Sequence, residues 1–310
     1  MDKRILDIAA IAAALVAPVF FGPYGHYIMC MATIYAMVSL SLNVLVSEAG
    51  LISIGHAGFW AVGAYGSAVL VERVGVPFEV SVVAAAGLAG LVGVVVGLPA
   101  LRVRGHYLAI ATLGFSLVLV HVLYEWDGLT GGRQGMFVQR PSLFGWSLAE
   151  DRQAYYLCLA IFGLLVLLVR NFRRSLGGLS INALRQSELA AQCCGIDLAA
   201  SRLFAFAFSA ALTGASGALY GAVLGQLSTD SFTLVVSLSF LTMAVVGGMS
   251  SVWGAVLGGL FLAGAPEGLR AFEKWQMLIY GVLLIVFIRV LPKGLASLPE
   301  RLAPLIGGRR

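Results

Sequence analysis

Runs of apolar residues close to 20 long recur along almost the whole chain, and that repetition limits the possible folds more than any other feature. A helix of about 20 apolar residues crosses a bilayer. Lipid offers no partner to a backbone N–H or C=O, so only helices and closed barrels can span it. A barrel is written in short segments alternating with period two, and no such pattern is present. Charged residues make up 11% of the 310 positions and hydrophobic residues 60%. A soluble domain carries about 25% charged residues, so this chain has too little polar surface to coat a water-soluble particle. The sequence predicts an all-α fold, a polytopic integral membrane helical bundle.

Ten apolar stretches can be marked, at roughly 5–21, 27–46, 51–71, 79–100, 106–124, 155–170, 203–225, 232–248, 252–268 and 276–291. Glycine and serine interrupt 51–71 and 232–268, which leaves room for re-entrant segments and a total of eight to ten transmembrane helices. The first stretch, behind Lys3 and Arg4, has the form of a signal-peptide core. It lacks a small-residue cleavage site and many spans follow, so it reads as a retained helix. The net charge of +5 forms no nucleic-acid patch, because the basic residues gather at segment ends. Ten crossings from a cytoplasmic N-terminus place fourteen of the 20 Lys and Arg residues inside. The six outside are Arg73, Arg133, Arg140, Arg152, Arg270 and Lys274. That bias follows the positive-inside rule and puts both termini in the cytoplasm.

Connections are short except for two, so residues 1–310 read as one transmembrane domain. The outer loop, about 125–154, contains Glu125, Asp127, Trp126, Trp146 and the glycine-rich Thr130-Gly-Gly-Arg-Gln-Gly135. It is either a solvated cover or a surface for a partner. Pairs with four-residue spacing, Gly93/Gly97, Gly217/Gly221 and Gly254/Gly258, suit close helix packing. Cys30, Cys158, Cys193 and Cys194 show no CxxC spacing and read as small apolar fillers.

The inner loop, about 171–202, carries the clearest local signals. Ser180 can cap a helix over 181–194, and Gly195 stands where a left-handed helix stop belongs, with Ile196 to close the turn. Asp197 can cap the next helix, which enters the membrane at Leu203. The result is a helix, a glycine turn and a second helix, partly apolar through Leu184, Leu189, Ala190 and Ala191. Such a hairpin either docks into a partner's groove or lies on the lipid surface, and its pattern supports both equally.

Glu188-Leu-Ala-Ala-Gln-Cys-Cys-Gly195 resembles the coupling segment of bacterial ABC importer permeases, in which an acid, an alanine pair and a glycine recur. The rest of the chain is similar to the branched-chain amino acid (LIV-type) branch of those permeases. The matching stretches include Ser39-Leu-Ser-Leu-Asn43, Ala49-Gly-Leu-Ile-Ser-Ile-Gly-His-Ala-Gly-Phe59, Arg102-Val-Arg-Gly-His-Tyr107 and Ala111-Thr-Leu-Gly-Phe115. They continue with Ser209-Ala-Ala-Leu-Thr-Gly-Ala-Ser-Gly-Ala-Leu-Tyr220 and Val246-Gly-Gly-Met-Ser-Ser-Val-Trp-Gly-Ala-Val-Leu-Gly258, in family order. The chain departs from the family where Leu179 and Asn182 replace two expected arginines, which leaves Arg185 as the main cation of the loop.

The resemblance implies a non-enzymatic permease subunit in the bacterial inner membrane, importing branched-chain amino acids or related small solutes. It implies a second homologous permease, two cytoplasmic ABC ATPase subunits and a periplasmic solute-binding protein, which would meet the outer loop. ATP and magnesium would be bound by the ATPases, with no cofactor or metal in this chain. The ATPase-coupling residues would be Arg185, Glu188, Ala190, Ala191, Gly195 and Asp197. Independently of that likeness, the chain has no GxxxxGK[ST] loop. Acidic residues lie mainly at segment ends, whereas an ion-coupled carrier keeps them at bilayer depth. A secondary carrier or channel is the competing reading. An integral-membrane enzyme ranks last, because His26, His56, His106 and His121 fall on different segments. Candidates for the translocation path are Asn43, Ser53, His56, Tyr65, Ser239 and Thr242, beside a helix break favoured by Gly50, Gly55 and Gly58. His56, Asn43 and the serines read more readily as hydrogen-bonding groups between helices than as ligand contacts.

Overall fold

The computed structural model describes residues 11–100, 106–140, 142–143, 146–147, 150–248, 251–268, 281–282, 285, 289 and 294–295. Most of the apolar stretch at 276–291, and both chain ends, lie outside the described residues.

The described chain is a helical bundle. Helix α1 (Pro23–Asn43) opens on a proline whose missing N–H costs nothing in the first turn. It runs without a break into a single π-helical turn, Val44–Glu48. Next come α2 (His56–Val74), α3 (Phe78–Ala100), α4 (His106–Glu125) and α5 (Asp151–Arg174). Two short helices, α6 (Leu176–Gln186) and α7 (Glu188–Cys193), precede the long α8 (Leu198–Leu224). Helices α9 (Leu234–Gly247) and α10 (Val252–Gly268) follow. Among the described residues, five segments are long and apolar enough to cross a membrane: Pro23–Glu48, Phe78–Pro99, Tyr107–Glu125, Asp151–Arg174 and Leu198–Leu224. Leu234–Gly247 and Val252–Gly264 are apolar but shorter.

Helix α8 is the axis of the bundle, packed against α1, α2 and α3. Small residues make this possible, because association in lipid depends on close van der Waals fit. A Cβ at Gly63 of α2 would run into the Gly214 backbone of α8, and one at Gly217 into the Trp60 carbonyl. Of the spaced pairs read from the sequence, all members except Gly221 lie at such close contacts. Gly93 and Gly97 meet Ala210 and Leu203, while Gly258 meets Met243. Outward positions such as Val83, Leu91, Leu117, Val118, Leu164 and Leu167 are exposed apolar residues suited to lipid or a protein partner.

The helix break expected near Gly50 and Gly55 is present, and three finer expectations need correction. The stretch 51–71 is helical only from His56, because Gly50 takes φ +66° and the chain between it and Gly55 stays irregular. Gly58 already lies inside the helix, packed on Phe115 and Ser116. The first stretch does not continue helically to residue 21: residues 11–16 are helical and give way to a 3₁₀ turn at Ala17–Val19, where Pro18 sits. Of the four cysteines, Cys30 and Cys158 are buried fillers, but Cys193 and Cys194 are exposed at the end of α7.

On one face of the bundle the described residues from 126 to 140 form a fastened cover. Met136–Phe137 pairs antiparallel with Gln226–Leu227, just past the end of α8. The Gln139 amide donates to Glu72 Oε1 at 2.7 Å, and Arg73 donates to the Gly128 carbonyl. Thr130 is buried, with its hydroxyl donated to the Leu123 carbonyl at 2.6 Å.

Candidate functional site

The opposite face carries the hairpin. Ser175 caps α6 by accepting from the Gly178 amide, so the helix begins five residues earlier than expected. Ser180 therefore lies within α6 and bonds back to the Leu176 carbonyl at 2.8 Å. The expected single helix over 181–194 is broken at Ser187, whose extended backbone ends α6 and whose hydroxyl caps α7 at the Ala190 amide. Serine competes with the helix for backbone partners, so the position allows either a break or a continuous helix.

The glycine turn is as the sequence predicts. Gly195 has φ +78°, and the Ile196 amide reaches back to the Ala191 carbonyl at 3.1 Å. Asp197 Oδ1 accepts from the Ala199 and Ala200 amides at 2.9 and 3.1 Å and starts α8. One face of the hairpin is tucked under the bundle through Ile181, Leu184 and Ala191. The other presents Leu179 and Leu189, the latter 77% exposed, together with Ala190.

Charged contacts fix this hairpin to the membrane helices. Glu188 pairs with Arg202, one turn into α8. Arg185 donates to the Ser47 carbonyl, and Arg173, at the end of α5, pairs with Glu48. Both of the latter contacts fall on the π turn that ends α1. Glu48 is 11% exposed on its side chain, so its pairing with Arg173 is shielded from water. A π turn is a local irregularity, common where helices must yield. Here it leads directly into the break before α2.

That break is lined by polar groups. His56 Nε2 lies 3.0 Å from Ser209 Oγ, and Nδ1 lies 3.2 Å from Ser53 Oγ. Ser209 donates its own proton to the Ser41 carbonyl at 2.9 Å. It must therefore accept from His56, which puts the imidazole proton on Nε2. The Ile54 amide donates to Thr112 Oγ1 and the Ala57 amide to Ser237 Oγ, at 3.1 and 3.2 Å. Asn43 is fully buried and donates to the Ser251 carbonyl at 3.2 Å, while its Oδ1 has no hydrogen-bond partner among the described residues.

The structure thus brings Ser53 and His56 together at one interruption, while Asn43 sits just ahead of the π turn and bonds the Ser251 carbonyl. Tyr65 lies about 13 Å further along α2, buried against Phe232 with ring centroids 5.7 Å apart. Its hydroxyl also lacks a partner among the described residues. Ser239 and Thr242 stand apart, each bonded to the backbone of its own helix. Ser237 is the residue by which α9 enters the polar cluster, with Ser41, Thr112, Ser209 and Thr213 from the other helices. Ser209 and Thr213, four apart on one helix face, were the available signal.

An all-α, multi-pass membrane bundle, with an interrupted helix at its centre and a capped hairpin on one face, has the build of a solute permease. The chain belongs to the family described as branched-chain amino acid transport system / permease component, whose model matches residues 26–288. That family is a transport component and not an enzyme. The chain is 30% identical over 333 residues to the high-affinity branched-chain amino acid transport system permease protein LivM of Salmonella typhimurium, covering 100% of this chain and 78% of that one. It is 31% identical over 319 residues to LivM of Escherichia coli K12, covering 95% and 75%. It is also 23% identical over 295 residues to the LivH permease protein of Escherichia coli K12, covering 87% and 93%. No solved structure matches the chain.

Proposed function

We propose that this chain is one of two permease subunits of an ABC importer that carries leucine, isoleucine, valine or closely related amino acids across the bacterial inner membrane. The single observation that carries the reading is the mechanical continuity from the hairpin to the membrane interior. Arg185 and Arg173 hold the π turn at Ser47 and Glu48, and the same segment runs on into the polar break at Ser53 and His56. Similarity to both LivM and LivH supports pairing with a second, homologous permease.

In this reading the chain forms one domain of eight to ten crossing or re-entrant helices, with both termini cytoplasmic. Two ABC ATPases, which bind ATP and magnesium, dock on the outward face of residues 176–197. Arg185, Glu188, Ala190, Ala191, Gly195 and Asp197 build and hold that surface. Their closure on ATP moves the hairpin, and the clamp passes the motion to the break in the membrane. There Asn43, Ser53, His56 and Tyr65 line or frame the passage, with Ser239 and Thr242 on its flank. A periplasmic binding protein docks on the outer loop, about 125–154, and delivers the solute.

The test is reconstitution of the permease pair in proteoliposomes. Leucine uptake should require ATPases, ATP and loaded binding protein together. Uptake by the permease pair alone, driven by a proton or sodium gradient, would contradict this function and favour a secondary carrier.

A further inference from the structure

Between the cover and the polar break the bundle holds a group of aromatic rings. Trp60 and Tyr65 come from α2 and Tyr220 from α8, and their ring centroids lie 5.3, 5.7 and 6.0 Å from that of Phe232. Trp60 and Tyr220 also pack on each other at 4.0 Å. Phe232 is fully buried against these three rings. Two of the three carry an unpaired donor. Trp60 and Tyr65 are 1% and 3% exposed, yet neither the indole Nε1 nor the tyrosine hydroxyl has a hydrogen-bond partner among the described residues. Buried donors are nearly always paired, and leaving one unpaired is costly. Two of them around one ring mark a place kept for an acceptor that comes and goes.

The walls of this cage and its occupant are held differently. Trp60 and Tyr220 stand on long helices in backbone contact, since a Cβ at Gly217 would strike the Trp60 carbonyl. Phe232 instead ends the four-residue 3₁₀ turn Thr229–Phe232. That turn begins one residue beyond the strand Gln226–Leu227, which pairs with Met136–Phe137 of the cover. On the other side of Trp60, Phe240 of α9 packs at 5.0 Å. Ser237 of the same helix bonds the Ala57 amide at the break.

We propose that the Phe232 ring is a plug, filling the site where an aliphatic α-amino acid rests before it reaches the polar break. With the ring withdrawn, Trp60 Nε1 and the Tyr65 hydroxyl donate to the carboxylate. The aromatic faces receive the aliphatic side chain and attract the ammonium group. Because the turn is joined to the cover, movement of the cover moves the plug.

This inference rests on the proposed importer function, and the experiment keeps the two apart. Leucine uptake is measured in proteoliposomes holding the complete transporter, with the thermal midpoint read in parallel. Tyr65→Phe keeps the ring and deletes only the unpaired hydroxyl, so it should lower uptake about tenfold or more with the thermal midpoint unchanged. Phe232→Ala should let the purified permease pair bind radiolabelled leucine about tenfold more tightly than wild type, with no binding protein present. Leucinamide, which lacks the carboxylate, should compete about tenfold more weakly than leucine, and adding Tyr65→Phe should narrow that difference. If Phe232→Ala does not assemble, the Tyr65→Phe arm decides alone. Wild-type uptake by Tyr65→Phe would overturn the site and leave the importer function standing. A lowered thermal midpoint in that variant would mean a hydroxyl held by structural water, and would overturn the site too, as would leucine binding to Phe232→Ala that ignores the carboxylate. A wild-type transporter that takes up no leucine with ATP and loaded binding protein would overturn the importer function and, with it, the amino acid assigned to the cage.

Discussion

Helices α1 and α8 differ from α4 and α5 in a way that length and hydropathy conceal. All four are apolar enough to span a membrane. In their most apolar windows, 78% and 72% of residues are buried for Pro23–Glu48 and Leu198–Leu224, against 22% and 28% for Tyr107–Glu125 and Asp151–Arg174. The inner pair carries glycine, serine, threonine and asparagine at its contacts, while the outer pair turns leucine and valine outward. In a bilayer the hydrophobic effect does not distinguish inside from outside, so small and polar residues decide which helices become central. The irregular segment and the polar cluster both lie in the central group, where backbone and side-chain polar groups can find partners.

The largest expected effect breaks this contrast outright. Gly63→Leu or Gly217→Leu forces a side chain into the backbone of a neighbouring helix. It should destabilise the protein by about 3 kcal/mol or more, read as loss of monodisperse protein in a detergent thermal-shift assay. Gly163→Leu on α5 meets nothing within 4 Å and should fall within about 0.5 kcal/mol of wild type. Equal effects on the two helices would remove the distinction.

A smaller effect is expected at the clamp between the groups. Glu48→Ala leaves the Arg173 guanidinium without its shielded partner, at a cost of roughly 2 kcal/mol, and should lower leucine uptake per ATP hydrolysed. The exchange Glu48→Arg with Arg173→Glu should recover part of that ratio, whereas either reversal alone should not. Gly195→Val pays about 1–2 kcal/mol for left-handed backbone, although there is open space around that position. It should uncouple hydrolysis from uptake, and Gly195→Asn should be milder. Glu188→Ala is expected to have the smallest effect. Its pair with Arg202 is half exposed on the acid side and is worth at most about 1 kcal/mol, visible as weaker ATPase retention at high salt.

The helical membrane class, most helix positions, the Gly195 turn and the Asp197 cap were legible in the sequence. Each of these depends on local chemistry: bilayer length, a glycine with positive φ, or a side-chain oxygen at a helix start. The break at Ser187 was not legible, because a serine inside an amphipathic run is compatible with both outcomes. The clamp was hidden for a different reason. Arg173 and Glu48 are 125 residues apart, and only the packing of α5 on α1 brings them together. Among the six path candidates, Ser53 and His56 lie together at the interruption and Asn43 lies just ahead of it. Residue type could not separate Ser237, which enters the cluster, from Ser239, which bonds its own helix. That choice is made by the rotation of α9.

The central claim is that force reaches the interrupted helix through the outward face of the hairpin. A photo-crosslinking residue in place of Leu189, in the assembled transporter within native membrane, tests it directly. The account predicts an adduct with an ATPase subunit whose yield changes when ATP is trapped. Adducts with lipid alone, unchanged by nucleotide, would mean that the hairpin rests on the membrane surface and transmits nothing.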